Sequence, residues 1–256
     1  MARPPVTACI ITLNEEANLP DCLASVAWCE EIVVVDSEST DRTREIAEAA
    51  GARVVRQPFL GHVEQKNFAL DRATHDWVLS VDADERVTPE LRASIEEALA
   101  RGGERFDGYR MTRHTFYLGR WIDHSGWYPE WHVRLWRKSR ARWSGVNPHD
   151  HVHPEGPVGT LRGDLQHFSY RSVEAHLRQV NAFTTIQARE KRRRGERPSL
   201  VKLLFNPAGR LLRMYVLKRG FLDGFPGLAL AAIGAFYVFS KYAKLWDIAR
   251  REGPET

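Results

Sequence analysis

Apolar, strand-forming runs at 6–13, 32–35, 52–56 and 77–81 alternate with helix-forming stretches at 19–28, 41–50 and about 62–73. Strands that alternate with helices close as a largely parallel sheet with right-handed crossovers. The pattern therefore predicts an α/β fold, a Rossmann-like, mostly parallel sheet flanked by helices. Gly51 stops the second helix, and Thr88, Pro89 and Glu90 read as cap, first residue and first-turn acid of a further helix through Leu99. With 256 residues, 43% of them hydrophobic, the chain can bury a core of its own.

Three of the runs end in polar side chains: Asn14 and Glu15, then Asp36, Ser37, Ser39 and Asp41, then Asp82, Asp84 and Glu85. Ligands of open α/β sheets bind outside the carboxyl ends of the strands, so these residues stand where a site belongs. Neither G-x-G-x-x-G nor G-x-x-x-x-G-K-[ST] occurs, so a glycine loop is not what would neutralise a phosphate. A divalent ion could, because Mg²⁺ and Mn²⁺ join one or two carboxylates to substrate phosphates. Asp82 and Asp84, two apart, would point to one side of extended chain and grip one ion or its water shell. A lone D-x-D can also merely solubilise a loop. A calcium loop counted from Asp82 lacks the glycine at its sixth position and the glutamate at its twelfth, and Arg86 spoils a phosphatase-type D-x-D-x-[TV].

Taken together, T-L-N-E-E at 12–16, V-V-V-D-S-x-S-x-D at 33–41, Q-K-N-F-A-L at 65–70 and V-D-A-D-E at 81–85 resemble a family 2 glycosyltransferase of GT-A fold. W-Y-P-E-W-H-V-R-L-W-R-K at 127–138, H-D-H at 149–151, H-F-S-Y-R-S at 167–172 and the apolar C-terminus extend the resemblance to the bacterial lipopolysaccharide-core β-glucosyltransferase branch. The resemblance implies Thr12, Asn14 and Glu15 around the base and ribose of a nucleotide sugar, and Asp36 against the nucleobase. It implies Asp82 and Asp84 at a metal and diphosphate, with His167 a further ligand. Lys66 and Asn67 fall in a matching motif, though a charged helix residue can equally well just face water.

Five of eight tryptophans lie in 121–143 and eight of ten histidines in 114–176. Aromatic faces suit sugar rings, so this half is expected to read the acceptor, although single tryptophans more often fill a core. His149, His151 and His153 would share a strand face and could mimic a zinc site; no cysteine is near them. The resemblance instead makes His149-Asp150 the acceptor-side pair, with Asp150 where the family has Glu. An inverting transfer needs a base for the acceptor hydroxyl's proton. Glu130 and Asp150 are the candidates, and either could instead pair structurally with Arg134 or Arg137.

The chain's net charge of +4 conceals a basic segment: 178–220 holds twelve Lys/Arg and two Glu, leaving the remainder at −6. Amphipathic stretches follow, then 17 uncharged residues at 224–240, in which Pro226 and three glycines weaken a spanning helix. The expectation is C-terminal amphipathic and apolar helices, one dipping into the interface of an anionic membrane. No nucleic-acid motif accompanies the charge. Three cysteines without zinc or C-x-x-C spacing, and an N-terminal apolar run without a cleavage site, suggest a reducing cytoplasm and no signal peptide.

The expected organisation is a nucleotide-sugar half at 1–105, an acceptor half at 106–176 and a basic, membrane-associating extension at 177–256. The expected activity is inverting, metal-dependent transfer of a hexose, glucose from UDP-glucose, to a lipid-linked saccharide such as the lipopolysaccharide inner core. Two other functions compete. A nucleotidyltransferase making the activated sugar would open with a glycine-rich loop, where Asn14-Glu15-Glu16 stands instead. A non-catalytic membrane-binding protein would have no use for Asp36, Asp82 and Asp84 together.

Overall fold

The computed structural model describes residues 3–102, 105–146, 149–170 and 172–252. Its first half runs β1 (Val6–Thr12), α1 (Leu19–Val26), β2 (Glu31–Asp36), α2 (Thr43–Ala49), β3 (Arg53–Arg56), α3 (His62–Arg72), β4 (Trp77–Asp82), β5 (Glu85–Val87) and α4 (Pro89–Gly102). Then follow β6 (Gly108–Tyr117), β7 (Arg120–Trp121), β8 (Glu130–Arg137), β9 (Trp143–Val146), β10 (His149–Val152) and β11 (Val158–Tyr170). Three helices close the chain: α5 (Val173–Arg193), α6 (Leu200–Leu212) and α7 (Gly224–Glu252).

The main sheet has the order β3-β2-β1-β4-β8-β6-β11-β5, with β7 on β6. The strands from β3 to β4 are parallel, and β8 joins β4 antiparallel. Central β1 is buried almost throughout, which is why it reads as an apolar run rather than an alternation. In α1, Leu19, Cys22, Leu23 and Val26 repeat at helical spacing and are all buried, forming the face that packs on the sheet. Thr88 caps α4 as its sequence suggests: its Oγ1 accepts the Leu91 N–H at 3.2 Å and donates to the Asp164 carbonyl at 2.9 Å. All three cysteines are free. Burial pushes the Cys9 and Cys22 thiols up and Cys29 to about 12, so none is a thiolate at neutral pH.

The chain forms two compact units, one of 1–114 with 130–169 and one of 115–129 with 170–256. In the second, Ser172 and Ser199 cap α5 and α6. Helix α7 is continuous for 29 residues despite Pro226 and its glycines. Pro226 lies in the first turn, where a missing N–H costs nothing. Gly227 meets the Gly220 carbonyl so closely that a Cβ would stand 1.9 Å from the oxygen, so this glycine marks a close approach of backbones. Buried Asp223 accepts the His124 backbone N–H at 3.0 Å and pairs with its ring Nδ1 at 2.9 Å, tying the 120s loop to the start of α7.

Candidate active site

Parallel pairing sets the strand ends of the first unit side by side, Thr12 opposite Asp36 and Ile11 opposite Asp82. Asp36 is fully buried; its Oδ2 accepts the Ser39 N–H at 3.0 Å, while Oδ1 has no hydrogen-bond partner among the described residues. Thr12 Oγ1 is in the same condition. So is Gln65 Oε1, although the Gln65 amide donates to Ser37 Oγ and the Gln57 carbonyl. Buried polar atoms left unpaired cost free energy unless something fills the site.

Asn14 and Glu15 are occupied within the loops. Asn14 Oδ1 accepts the Thr40 N–H at 2.8 Å, and the Asn14 and Glu15 backbone N–H groups donate to Ser39 and Thr43 hydroxyls. Asn14 takes a left-handed φ of 55°, which asparagine tolerates better than most residues.

Beyond Asp82 the chain turns through Ala83 and Asp84 into β5. The two carboxylates therefore do not share one extended strand, as their spacing suggested. Asp82 Oδ1 lies 3.3 Å from Lys66 Nζ and Oδ2 lies 3.1 Å from Arg134 Nη2. Asp84 Oδ2 instead faces His167 Nε2 at 3.3 Å, an approach made by the pairing of β5 with β11 that sets Glu85 opposite His167. Among the described residues no three His, Cys, Asp or Glu converge as a ready-made metal cage. Asp84 offers an oxygen donor of the kind that a divalent ion joins to phosphate and water, with the His167 imidazole beside it.

A run of alternating charges crosses the site. Asp150 Oδ2 binds Lys66 Nζ at 2.7 Å, Lys66 reaches Asp82, Asp82 pairs with Arg134, and Arg134 with Glu85 at 3.0 Å. Glu85 lies 3.7 Å from Arg113, and Arg113 grips Glu130 at 2.7 Å. Glu130 is also 3.3 Å from His132 Nε2. Lys66 is thus buried and doubly paired rather than facing water, with its ammonium 4.3 Å over the Trp143 ring. The structural pairing considered for Glu130 and Asp150 also changes: Arg134 goes to Asp82 and Glu85, and Arg137 to Asp76.

Burial alone would raise the Asp82 carboxyl, but Lys66 and then Arg134 outweigh it and hold it far below the usual range. Asp150 follows the same logic, with burial opposed chiefly by Lys66. For Glu130, burial is outweighed by the close approach of His132 and by the Arg113 charge, leaving a value of about 2. Arg134 is buried, and its Nε and Nη1 have no hydrogen-bond partner among the described residues. Those donors suit an oxyanion.

Arg113 and Gln65 are the residues that motif reading passed over; Glu85 was noted only as one of the acids at a strand end, and Arg134 only as a structural partner for Glu130 or Asp150. Asn67 holds the β9 hairpin, its amide bonding both the carbonyl and the N–H of Trp143. Trp136 and Trp143 pack edge to face at 5.6 Å in the core, whereas Trp131 is exposed. His151 and His153 rings are 4.5 Å apart; the His149 side chain lies outside the described residues.

The sequence model described as Glycosyl transferase family 2 matches residues 7–155. The lipopolysaccharide core biosynthesis glycosyltransferase LpsC of Rhizobium meliloti (strain 1021) is 35% identical over 95% of this chain and 92% of its own. An uncharacterized glycosyltransferase of Rickettsia typhi is 32% identical over 95% of this chain and 87% of its own. A solved glucosyl-3-phosphoglycerate synthase from Mycobacterium tuberculosis aligns over 45% of each chain at 27% identity and a TM-score of 0.37. The matched region holds every strand end and ion pair of the candidate site except His167. The chain belongs to glycosyl transferase family 2, in the lipopolysaccharide-core branch.

Proposed function

We propose that the enzyme transfers glucose from UDP-glucose, with inversion, to a hydroxyl of a lipid-linked saccharide such as the lipopolysaccharide inner core, at the cytoplasmic face of the membrane. In this reading residues 1–105 take the donor, helped at its diphosphate by Arg134 and His167, the remainder of 106–176 takes the acceptor, and 177–256 form the membrane side. The observation that carries it is the set of unpaired buried atoms at the strand ends, Thr12 Oγ1, Asp36 Oδ1, Gln65 Oε1 and the Arg134 donors. An acceptor such as Asp36 Oδ1 suits a base N–H, and Arg134 with Lys66 suits a diphosphate.

Asp84 and His167 would hold Mg²⁺ or Mn²⁺ together with the donor's phosphates. The bound ion would supply charge neutralisation for the departing diphosphate. Lys66 would release Asp150 as it takes up phosphate charge, freeing the carboxylate to accept a proton. The acceptor oxygen then bonds to the anomeric carbon from the face opposite the diphosphate, whose bond to that carbon breaks. The hydroxyl proton passes to the base, and UDP leaves with the bonding electrons. Glu130, clamped by Arg113 and His132, would orient the acceptor.

The test is twofold. With Mn²⁺ present, UDP-glucose should raise the melting temperature more than GDP-mannose does, because a ligand of the folded state stabilises it. Labelled glucose should then appear in β-linkage on a truncated core saccharide. No stabilisation by any UDP-sugar, or an α-linked product, would overturn the donor or the stereochemistry respectively.

A further inference from the structure

Among the described residues, twelve of the 23 exposed large hydrophobics fall in the 29 positions from Leu200 to Leu228, so the apolar surface is concentrated rather than scattered. Its densest part is α6, which has no buried residue at all. Leu200, Leu204 and Leu211 form one row of that helix, and Val201, Phe205 and Leu212 the next; all six are exposed, Phe205 to 68%. At 100° per residue they span an arc of about 140°. Leu203 points the other way, into a cluster with Ala188, Tyr242 and Leu245. The helix therefore has a face turned to its own unit and a second apolar face turned outward.

Charge identifies the occupant. Between Leu200 and Leu222 stand five cations, Lys202, Arg210, Arg213, Lys218 and Arg219, and no Asp or Glu. Lys202, which Glu196 pairs at 2.8 Å, and Arg213 fall in the sector next to the outward apolar arc. A soluble partner protein would need matching acids placed one by one. A bilayer surface meets both features without register: acyl chains accept the apolar arc, and anionic headgroups accept long cationic side chains that snorkel to them. The π-helical turn Arg213–Leu217 and the short turn Gly220–Asp223 continue the exposed surface through Val216, Leu217, Phe221 and Leu222.

We infer that the outward face of α6 and the two turns after it dock flat on an anionic lipid bilayer, with α7 serving as the helix they pack on. This rests on the membrane-side reading above and moves the contact from the apolar stretch at 224–240 to α6.

The experiment is vesicle sedimentation of the full-length protein on phosphatidylcholine alone and on phosphatidylcholine with about a third phosphatidylglycerol. Wild type should bind the anionic vesicles and lose binding as salt rises. Leu204→Glu with Phe205→Glu should weaken that binding on the order of 100-fold, at an unchanged melting temperature. Lys202→Glu with Arg213→Glu should weaken it on anionic vesicles and leave neutral ones unchanged. Phe59→Glu with Leu60→Glu, an exposed apolar pair in the other unit, should have no effect. Wild-type-like vesicle binding by the Leu204/Phe205 variant, or no binding by wild type, overturns the inference. A dimer that this variant splits while vesicle binding persists would assign the face to a second copy of the chain. Transfer to a soluble acceptor is read in parallel: if it persists while vesicle binding is absent, docking fails and the glycosyltransfer reading stands. Its absence with binding intact fails the donor reading alone.

Discussion

Lys66 Nζ lies 2.7 Å from Asp150 Oδ2, joining α3 to the β9–β10 hairpin across 84 positions of sequence. The same ammonium is 3.3 Å from Asp82, so one cation serves two carboxylates in a buried place. Removing one partner of a buried pair leaves the others uncompensated, which costs more than the pair is worth.

Lys66→Met is therefore expected to destabilise the fold by about 3 kcal/mol at neutral pH. The pH dependence has a definite sign. Asp82 and Asp150 are held below their ordinary values, so their contribution is present above the unfolded carboxylate range, about pH 4, and is lost as pH falls through the folded values. The gap between variant and wild type should narrow in acid. Thermal unfolding from pH 7 to pH 3 measures it, and a constant gap would detach the effect from these carboxylates.

Asp84→Asn and Asp82→Asn should part company. Asp82 neutralises Lys66 and Arg134, so its amidation should lower the melting temperature markedly. Among the described residues Asp84 has an ion-pair contact with His167 alone and is partly exposed, so its variant should fold as wild type does. Turnover of Asp84→Asn at limiting Mn²⁺ should nevertheless fall about 10- to 100-fold. Unchanged turnover across a metal titration would remove Asp84 from the metal site.

The α/β half was legible because each strand and helix announces itself locally: an apolar run, a polar end, then helical spacing closed by a glycine or opened by a threonine-proline. The charge network was not, because its pairs are made by topology. Arg134 meets Glu85 and Asp82 only because β8 joins β4 antiparallel, and His167 meets Asp84 only because β11 returns to β5. For Lys66 the sequence left a motif role and a water-facing helix position equally open, because the β9–β10 pair that covers it is far away in the chain. The turn at Ala83 parted two carboxylates that an extended chain would have aligned. Pro226 suggested a break in the apolar stretch, but a proline in the first turn of α7 starts a helix rather than stopping one.

His176 offers a second pH handle, in the other unit. Its ring stacks on Tyr170 at 4.1 Å, and Nδ1 is 3.0 Å from the Tyr117 hydroxyl. Burial lowers its pKa to about 4, against 6.5 in an unfolded chain. The neutral ring is thus favoured in the fold, and stability should be lost as pH falls from about 6.5 towards 4, by roughly 2 kcal/mol. His176→Phe, which keeps the ring stack, should flatten the melting-temperature slope over that interval while costing a constant amount for the orphaned Tyr117 hydroxyl. A variant slope equal to wild type would mean that other groups carry the acid sensitivity.

The base is the remaining choice. A carboxylate near 2 accepts a proton poorly at neutral pH, and Glu130 is held there by His132 and Arg113. Asp150 is depressed chiefly by one ammonium, Lys66, which a diphosphate would attract. Binding of the donor would thus raise the basicity of Asp150 at the step that needs it. Asp150→Asn should lose kcat by roughly 10²- to 10⁴-fold with donor affinity retained, whereas Glu130→Gln should chiefly raise the acceptor KM. Steady-state kinetics on both variants, with donor binding measured separately by calorimetry, decides between them. If Glu130→Gln loses kcat and Asp150→Asn does not, the roles are reversed; if both keep kcat, the proton goes to a group outside this charge network.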